Sequence, residues 1–181
     1  MAAGVHYLAL LRGINVGGKN LIKMTDLRAA FEEMGFTDVV TYIASGNVFF
    51  RAPRQKREEL AAGMESRLSR RFDTELKVVL LTDAQLRQVI EGAPRGFGGK
   101  SHLCDVLFLR KPLTVKKAFN ALEFREGIDR AWPGPGVIYF SRLASRASGS
   151  RLSKYAVLPE YKNTTIRSWT TTKKLLLKME D

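Results

Sequence analysis

Apolar residues in this chain follow two rhythms, and the alternation between them predicts the fold. Val5 to Leu11 is a short apolar run with polar residues on either side, the pattern of a strand buried on both faces. Met24, Leu27, Phe31 and Met34 then recur at spacings of three and four, one face of a helix over 24–34. Thr25 is placed to cap that helix, Asp26 suits its positive end, and Gly35 closes it. Val39–Ala44 and Val48–Arg51 flank Ser45-Gly46-Asn47, so strands over 39–44 and 47–51 form a hairpin through a tight primed turn. After Pro53, Leu60, Met64 and Leu68 mark the buried face of a helix over 54–71, and Leu76–Leu81 reads as another strand. Thr82-Asp83-Ala84-Gln85 is a capping box opening a short helix with Leu86, Val89 and Ile90 inside. This βαββαβ order is the ferredoxin-like arrangement, a four-stranded sheet with both helices on one face.

The pattern then starts again. Residues 92–101 are rich in glycine and read as a linker. Beyond them, Asp105-Val106-Leu107-Phe108-Leu109-Arg110 echoes Tyr7-Leu8-Ala9-Leu10-Leu11-Arg12, and Val137 to Arg142 echoes Val48 to Arg51. Val115, Ala118, Phe119 and Leu122 supply the helix between them. A helix is expected near Ser150–Val157, and Trp169, Leu176 and Met179 repeat at helical spacing with no final strand before them. The expected fold class is therefore α+β, a tandem duplication of ferredoxin-like (βαββαβ) subdomains with antiparallel sheets. The first subdomain spans 1–91 with its short extra helix, the linker 92–101, and the second 102–181, modified at its C-terminal end.

A chain of 181 residues, 45% hydrophobic and 27% charged, is long enough for a substantial core and has the composition of a soluble globular protein. No secretory signal pattern and no apolar stretch of about 20 residues is present, so no membrane partner and a cytoplasmic location are expected. Cys104, the single cysteine, lies in an apolar run and reads as a small buried hydrophobe. Charge adds more. The net +12 is unevenly placed: Arg130 to Lys178 holds ten Lys or Arg and one acid, Glu160, whereas the part through Asp129 holds twenty bases against fifteen acids. Concentrated positive charge attracts polyanions, although a solvated basic face has the same composition.

Gly13 to Asn20 nearly spells the phosphate-binding loop G-x-x-x-x-G-K-[ST], but Asn20 stands where the magnesium-holding hydroxyl belongs. The helix also starts well beyond Lys19, so simple anion binding by backbone N–H groups with Arg12 and Lys19 is favoured over nucleotide hydrolysis. The path of the turn alone accounts for the glycines equally well, and Asn15 and Asn47 can hydrogen-bond their own turns. Ser45 has no partner base in view: His6 and His102 are the only histidines, and neither has metal-ligand spacing. No catalytic residue, metal or cofactor is assigned. Arg12, at the end of a buried strand, needs a carboxylate, a carbonyl or an external anion.

The string LLRGINVGGKNLIKM, followed by GF, TYIASGNVFF and the late TIRSWTTTKKLL, resembles the bacterial family called domain of unknown function 1697. The resemblance covers nearly the whole chain. It implies two ferredoxin-like subdomains and no established activity, substrate or cofactor. Its motif positions here are Arg12, Gly13, Asn15, Gly17, Gly18, Lys19, Met24, Ser45, Gly46, Asn47, Thr165, Arg167 and Trp169. Asn20, Ile22 and Ala44 are this chain's departures from the pattern.

Two functional classes follow, with binding of an anionic partner common to both. In the first, RNA or single-stranded DNA stacks its bases on Tyr7, Phe49 and Tyr139 across an open sheet face. In the second, Arg12, Asn15, Gly17, Gly18, Lys19, Ser45, Asn47, Arg167 and Lys173 converge on a small phosphorylated or carboxylated metabolite, with turnover optional. A protein-interaction adaptor is the third reading. The charge tips the expectation toward nucleic acid and, for want of a general base, toward a non-enzyme.

Overall fold

A computed structural model of the protein describes residues 4–181; residues 1–3 of the expected first subdomain lie outside it. The chain forms two compact units, Met1–Gln85 and Leu86–Asp181, each built on a four-stranded antiparallel sheet. Among the described residues no helix is long and apolar enough to cross a membrane.

In the first unit the elements run β1 (Val5–Arg12), α1 (Met24–Glu33), β2 (Thr37–Tyr42), β3 (Asn47–Ala52), α2 (Arg57–Phe72) and β4 (Lys77–Thr82). The sheet order is β2-β3-β1-β4, which puts the continuous apolar run of β1 at the centre. Alternation along β1 sends Tyr7, Ala9 and Leu11 into a core with Phe31 of α1, Phe50 of β3 and Leu60, Met64 and Leu68 of α2. Leu8 and Leu10, pointing the other way, are buried as well. Two expected details differ. α1 is preceded by Lys23, which makes no side-chain cap, and Thr25 lies inside the helix. Asn15 fixes that start, because its side chain bonds both the N–H (2.8 Å) and the carbonyl (3.0 Å) of Ile22. The hairpin loop is also longer than a primed turn: Tyr42 pairs with Asn47, leaving Ile43–Gly46 between, with Ile43 and Gly46 both at positive φ. The Asn47 amide donates to the Tyr42 carbonyl and to Ser45 Oγ, and the Gly46 carbonyl accepts the Leu11 N–H at 2.8 Å, so this wider loop is pinned from both sides.

The reciprocal capping box opens α3 (Asp83–Glu91): Thr82 N–H donates to Gln85 Oε1 (3.0 Å), and Gln85 N–H to Thr82 Oγ1 (3.4 Å). From Leu86 onward this helix belongs to the second unit, where Arg87 pairs with Glu180. The second unit continues with β5 (His102–Leu109), α4 (Val115–Ala121), β6 (Asp129–Pro133), β7 (Val137–Leu143), a 3-10 segment (Ala144–Gly149), α5 (Leu152–Tyr155), a second 3-10 segment (Pro159–Asn163), β8 (Thr164–Ser168) and α6 (Trp169–Glu180). Its strand order, β6-β7-β5-β8, repeats that of the first sheet.

The final strand that hydropathy failed to announce is therefore present. β8 pairs antiparallel with β5 from Leu109↔Thr164 to Asp105↔Ser168. What changes between the halves is the connection into that strand, where short helical pieces stand in place of a 16-residue α2. Residues 92–101 are not a bare spacer either. Phe97 meets Trp132, Tyr139 and Trp169 edge to face at ring separations of 6.1, 5.5 and 5.2 Å. Gly98 holds φ +89° beside Trp169, where a Cβ would run into the indole. The segment is thus packed within the second unit.

Candidate functional site

The glycine-rich loop folds on itself. Val16 and Lys19 pair across a tight turn, Lys19 N–H to Val16 carbonyl at 3.1 Å, and Asn15 N–H reaches the Asn20 carbonyl at 3.1 Å. Gly17 (φ +57°) and Gly18 (φ +74°) occupy its two central positions, the left-handed pair of a primed turn. An added Cβ at either would meet open space, so these glycines serve the chain's path and leave the tip exposed. Lys19 is on that tip, between exposed Val16 and Leu21. Arg12 is half-buried at the end of β1, across from Lys77.

The polar residues expected to meet a ligand are engaged within the fold. Asn15 bonds the Ala44 carbonyl (2.8 Å) in addition to Ile22, tying this loop to the β2–β3 loop. Asn47 is fully buried, and its amide holds Ser45 Oγ at 3.0 Å. Asn20, outside the expected set, bonds the Gly13 carbonyl at 2.9 Å. The loop is thus a miniature hairpin stapled by Asn15 and Asn20, while Asn47 staples the β2–β3 loop. In the second unit Arg167 is 8% exposed and donates to the Ile166 carbonyl at 3.0 Å; burial lowers its pKa to about 10. Lys173 stands exposed, its Nζ 5.9 Å from the centre of the Trp169 ring.

The three rings expected to stack bases are all buried, which corrects that expectation. Tyr7 stacks on Phe50 at 5.5 Å, and Phe49 lies 6.2 Å from His6. Tyr139 is fully buried; its hydroxyl donates to the Val89 carbonyl at 2.7 Å, and burial pushes its pKa up to about 12. Tyr7 lies with Phe50 on the helix-packed face of the first sheet, opposite Phe49, so the expected grouping of these two rings does not form, and β1 is buried on both faces from Tyr7 to Leu11.

Charge is where the two units part company. The second unit carries eighteen Lys or Arg against eight Asp or Glu, the first twelve against ten. Several of those eight acids are already engaged: Glu180 with Arg87, Glu123 with Lys154 at 3.3 Å, and Asp105 with Arg142 at 3.3 Å. Asp129 Oδ2 accepts the backbone N–H groups of Arg125 (2.9 Å) and Arg151 (2.8 Å), fastening both ends of the arginine-rich stretch to the start of β6. Lys116 and Lys117 on α4, Arg146, Lys162, Lys173 and Lys174 are all exposed, and none has a carboxylate ion-pair partner among the described residues.

Asp105 titrates in the unusual direction. Its burial raises the pKa above 3.8, and Arg142 only partly offsets this. Between 3.8 and the raised folded value the native state binds more protons than the unfolded chain, so Asp105 makes stability fall as pH rises through that window. Asp105→Asn should remove this slope, read as the urea midpoint against pH; an unchanged slope would overturn the assignment.

Sequence reasoning passed over another cationic set. Arg67, Arg70 and Arg71 recur at three and four residues and so share one face of α2, a spacing visible in the sequence. The described residues contain no group of three or more His, Cys, Asp or Glu arranged to hold a metal ion. Ser101 Oγ lies 2.9 Å from His102 Nδ1, an exposed contact between neighbours in sequence.

Comparison with known proteins agrees with this fold and adds no activity. A conserved bacterial protein of Streptococcus pneumoniae, SP0830, has a solved structure that superposes with a TM-score of 0.84 at 27% identity, covering 97% of this chain and 98% of that one. No curated protein matches this chain. The family described as "Protein of unknown function (DUF1697)" matches residues 5–139, from the first strand into β7. With three quarters of its length so matched, the chain belongs to the DUF1697 family.

Proposed function

We propose that this protein is a non-enzymatic binder of polyanions, with the phosphodiester backbone of RNA or DNA as the leading partner, and that the second unit supplies the surface. The observation that carries the reading is the concentration of charge there: ten of the twelve net positive charges fall in the second unit, and several of its few acids are already paired. Lys116, Lys117 and Lys162 belong to the helical pieces that cover one face of that sheet, where Leu107, Ile138 and Phe140 pack under Ala118, Leu122 and Tyr155. A rigid scaffold with lysines on its outer surface suits backbone contacts, which position a nucleic acid without reading its bases. A cytoplasmic setting fits the same partner. The reading also takes the two halves as tandem ferredoxin-like units, supported by their equivalent strand orders. A small anion at Arg12 and Lys19 has less support, because Asn15 bonds the backbone at Ile22 and Ala44 and Asn47 holds the β2–β3 loop.

The test is fluorescence anisotropy with labelled single-stranded and duplex oligonucleotides. Affinity should fall steeply between about 50 and 200 mM salt, with little preference for base identity. Replacing Lys116, Lys117 and Lys162 together by alanine should reduce the log–log salt slope by about 2 to 3 and leave the melting temperature unchanged. Absence of salt-sensitive binding to every probe at the lowest salt removes the proposal.

A further inference from the structure

The helical face of the first unit carries a groove that the polyanion reading does not use. Two adjoining hollows of about 420 and 230 Å³ run between α1 and α2, sharing Met34 and Arg67 in their walls. Met34, Phe36, Leu60 and Met64 give the second hollow an apolar floor, and the flexible thioethers of methionine adapt to varied side chains. Gly63 opens that floor. It sits in the interior of α2, where glycine is a poor helix former, and a Cβ there would meet nothing within 4 Å. Neither the fold of the helix nor its internal packing requires glycine at this position. Without a Cβ, the surface of α2 at this point leaves room for another backbone to approach closely.

The rim supplies the complementary chemistry. Arg71 is held by Glu33 at 2.7 Å and Glu59 by Lys56 at 3.2 Å, but Arg67 and Arg70 have no carboxylate partner among the described residues. These two guanidinium groups are one helical turn apart beside an apolar trough. We propose that the α1–α2 groove docks an acidic amphipathic helix of a protein partner. Its apolar side chains fill the Met34–Phe36–Met64 floor, its backbone crosses α2 over Gly63, and carboxylates one turn apart pair with Arg67 and Arg70. The trough is short, so the complex belongs with small, transient interfaces.

The experiment uses the full chain and a displayed library of amphipathic helices about 15 residues long, roughly four turns, with polar positions varied among Asp, Glu, Lys, Arg, Gln and Ser. Selected helices should carry acids at one-turn spacing. Their binding should weaken about tenfold or more in Arg67→Glu and in Gly63→Ala, while Gly63→Ala raises the melting temperature by about 2 °C as a better helix former. That stabilised variant separates lost docking from lost folding. No enrichment, or selected helices indifferent to both substitutions, overturns the proposal. So does tight binding of a short RNA that Arg67→Glu abolishes, since the groove would then be a nucleic-acid site. Loss of second-unit lysines should leave helix docking intact, which keeps this outcome distinct from that of the polyanion test.

Discussion

Gly46→Ala is expected to destabilise the first unit by about 2–5 kcal/mol, measured as the shift in its urea unfolding transition. Two costs combine. Gly46 holds φ +82°, where an L side chain is strained by about 1–2 kcal/mol. The new Cβ would also lie 2.7 Å from Ile14 Cδ1 and 3.0 Å from Leu11 Cβ, atoms in a packed core that yields only at about 1–3 kcal/mol. Gly17→Ala meets the first cost without the second, because nothing lies within 4 Å of its Cβ, and should lose only about 1–2 kcal/mol. Shortening Ile14 to alanine in the Gly46→Ala background should recover part of the loss relative to the two single changes, since the overlap is relieved. A Gly46→Ala variant as stable as the parent would show that the β2–β3 loop is not pinned against β1.

This contrast separates two motifs that look alike in the sequence. Both glycine-rich strings read as candidate ligand loops, yet one glycine is demanded by packing and the other by a primed turn alone. The sequence carries positive-φ preference at both and nothing about what surrounds them. Asparagine is equally ambiguous: a side chain that staples its own turn, as Asn15 does to Ile22 and Ala44, has the composition of one that holds a phosphate.

Much of the architecture was legible because burial leaves a periodic trace. β1, α2 and the capping box at Thr82–Gln85 follow from spacing. β8 escaped because its buried residues, on both of its faces, are polar or charged. Thr164 and Thr165 are buried, and the Thr164 hydroxyl is satisfied by the Glu160 carbonyl at 3.0 Å and the Tyr155 hydroxyl at 2.9 Å. Hydrogen bonds there replace the hydrophobicity on which strand recognition relies. The aromatic rings failed for a different reason. Alternation tells which side of a strand a ring occupies, never whether that side is covered, and Phe49 is buried on the face that should have been open.

The same logic of polar residues fixing structure gives the second large effect. Asp129→Ala should cost the second unit about 3–6 kcal/mol, because one carboxylate oxygen accepts the N–H groups of both Arg125 and Arg151, each such charged bond contributing about 1.5–3 kcal/mol. Asp129 is buried, so the orphaned N–H groups gain no easy access to water. Asp129→Asn is the discriminating partner. Its amide oxygen can take the place of Oδ2 and keep both bonds, while its NH2 falls where Oδ1 is buried without a partner. The loss should therefore be nearer 1–2 kcal/mol, the desolvation of an unmatched donor plus the weakening of two bonds to a neutral acceptor. Binding separates the roles further. Asp129 precedes Arg130, sits opposite Arg142 in the strand register and holds the backbone of Arg125 and Arg151, and removing its charge makes that stretch more positive. If the stretch belongs to the polyanion surface, Asp129→Asn should bind oligonucleotides more tightly than the parent and with a steeper salt slope. An Asn variant that is less stable but binds no better would confine Asp129 to holding the fold and place the polyanion surface on the lysines of α4, Lys162 and α6 alone.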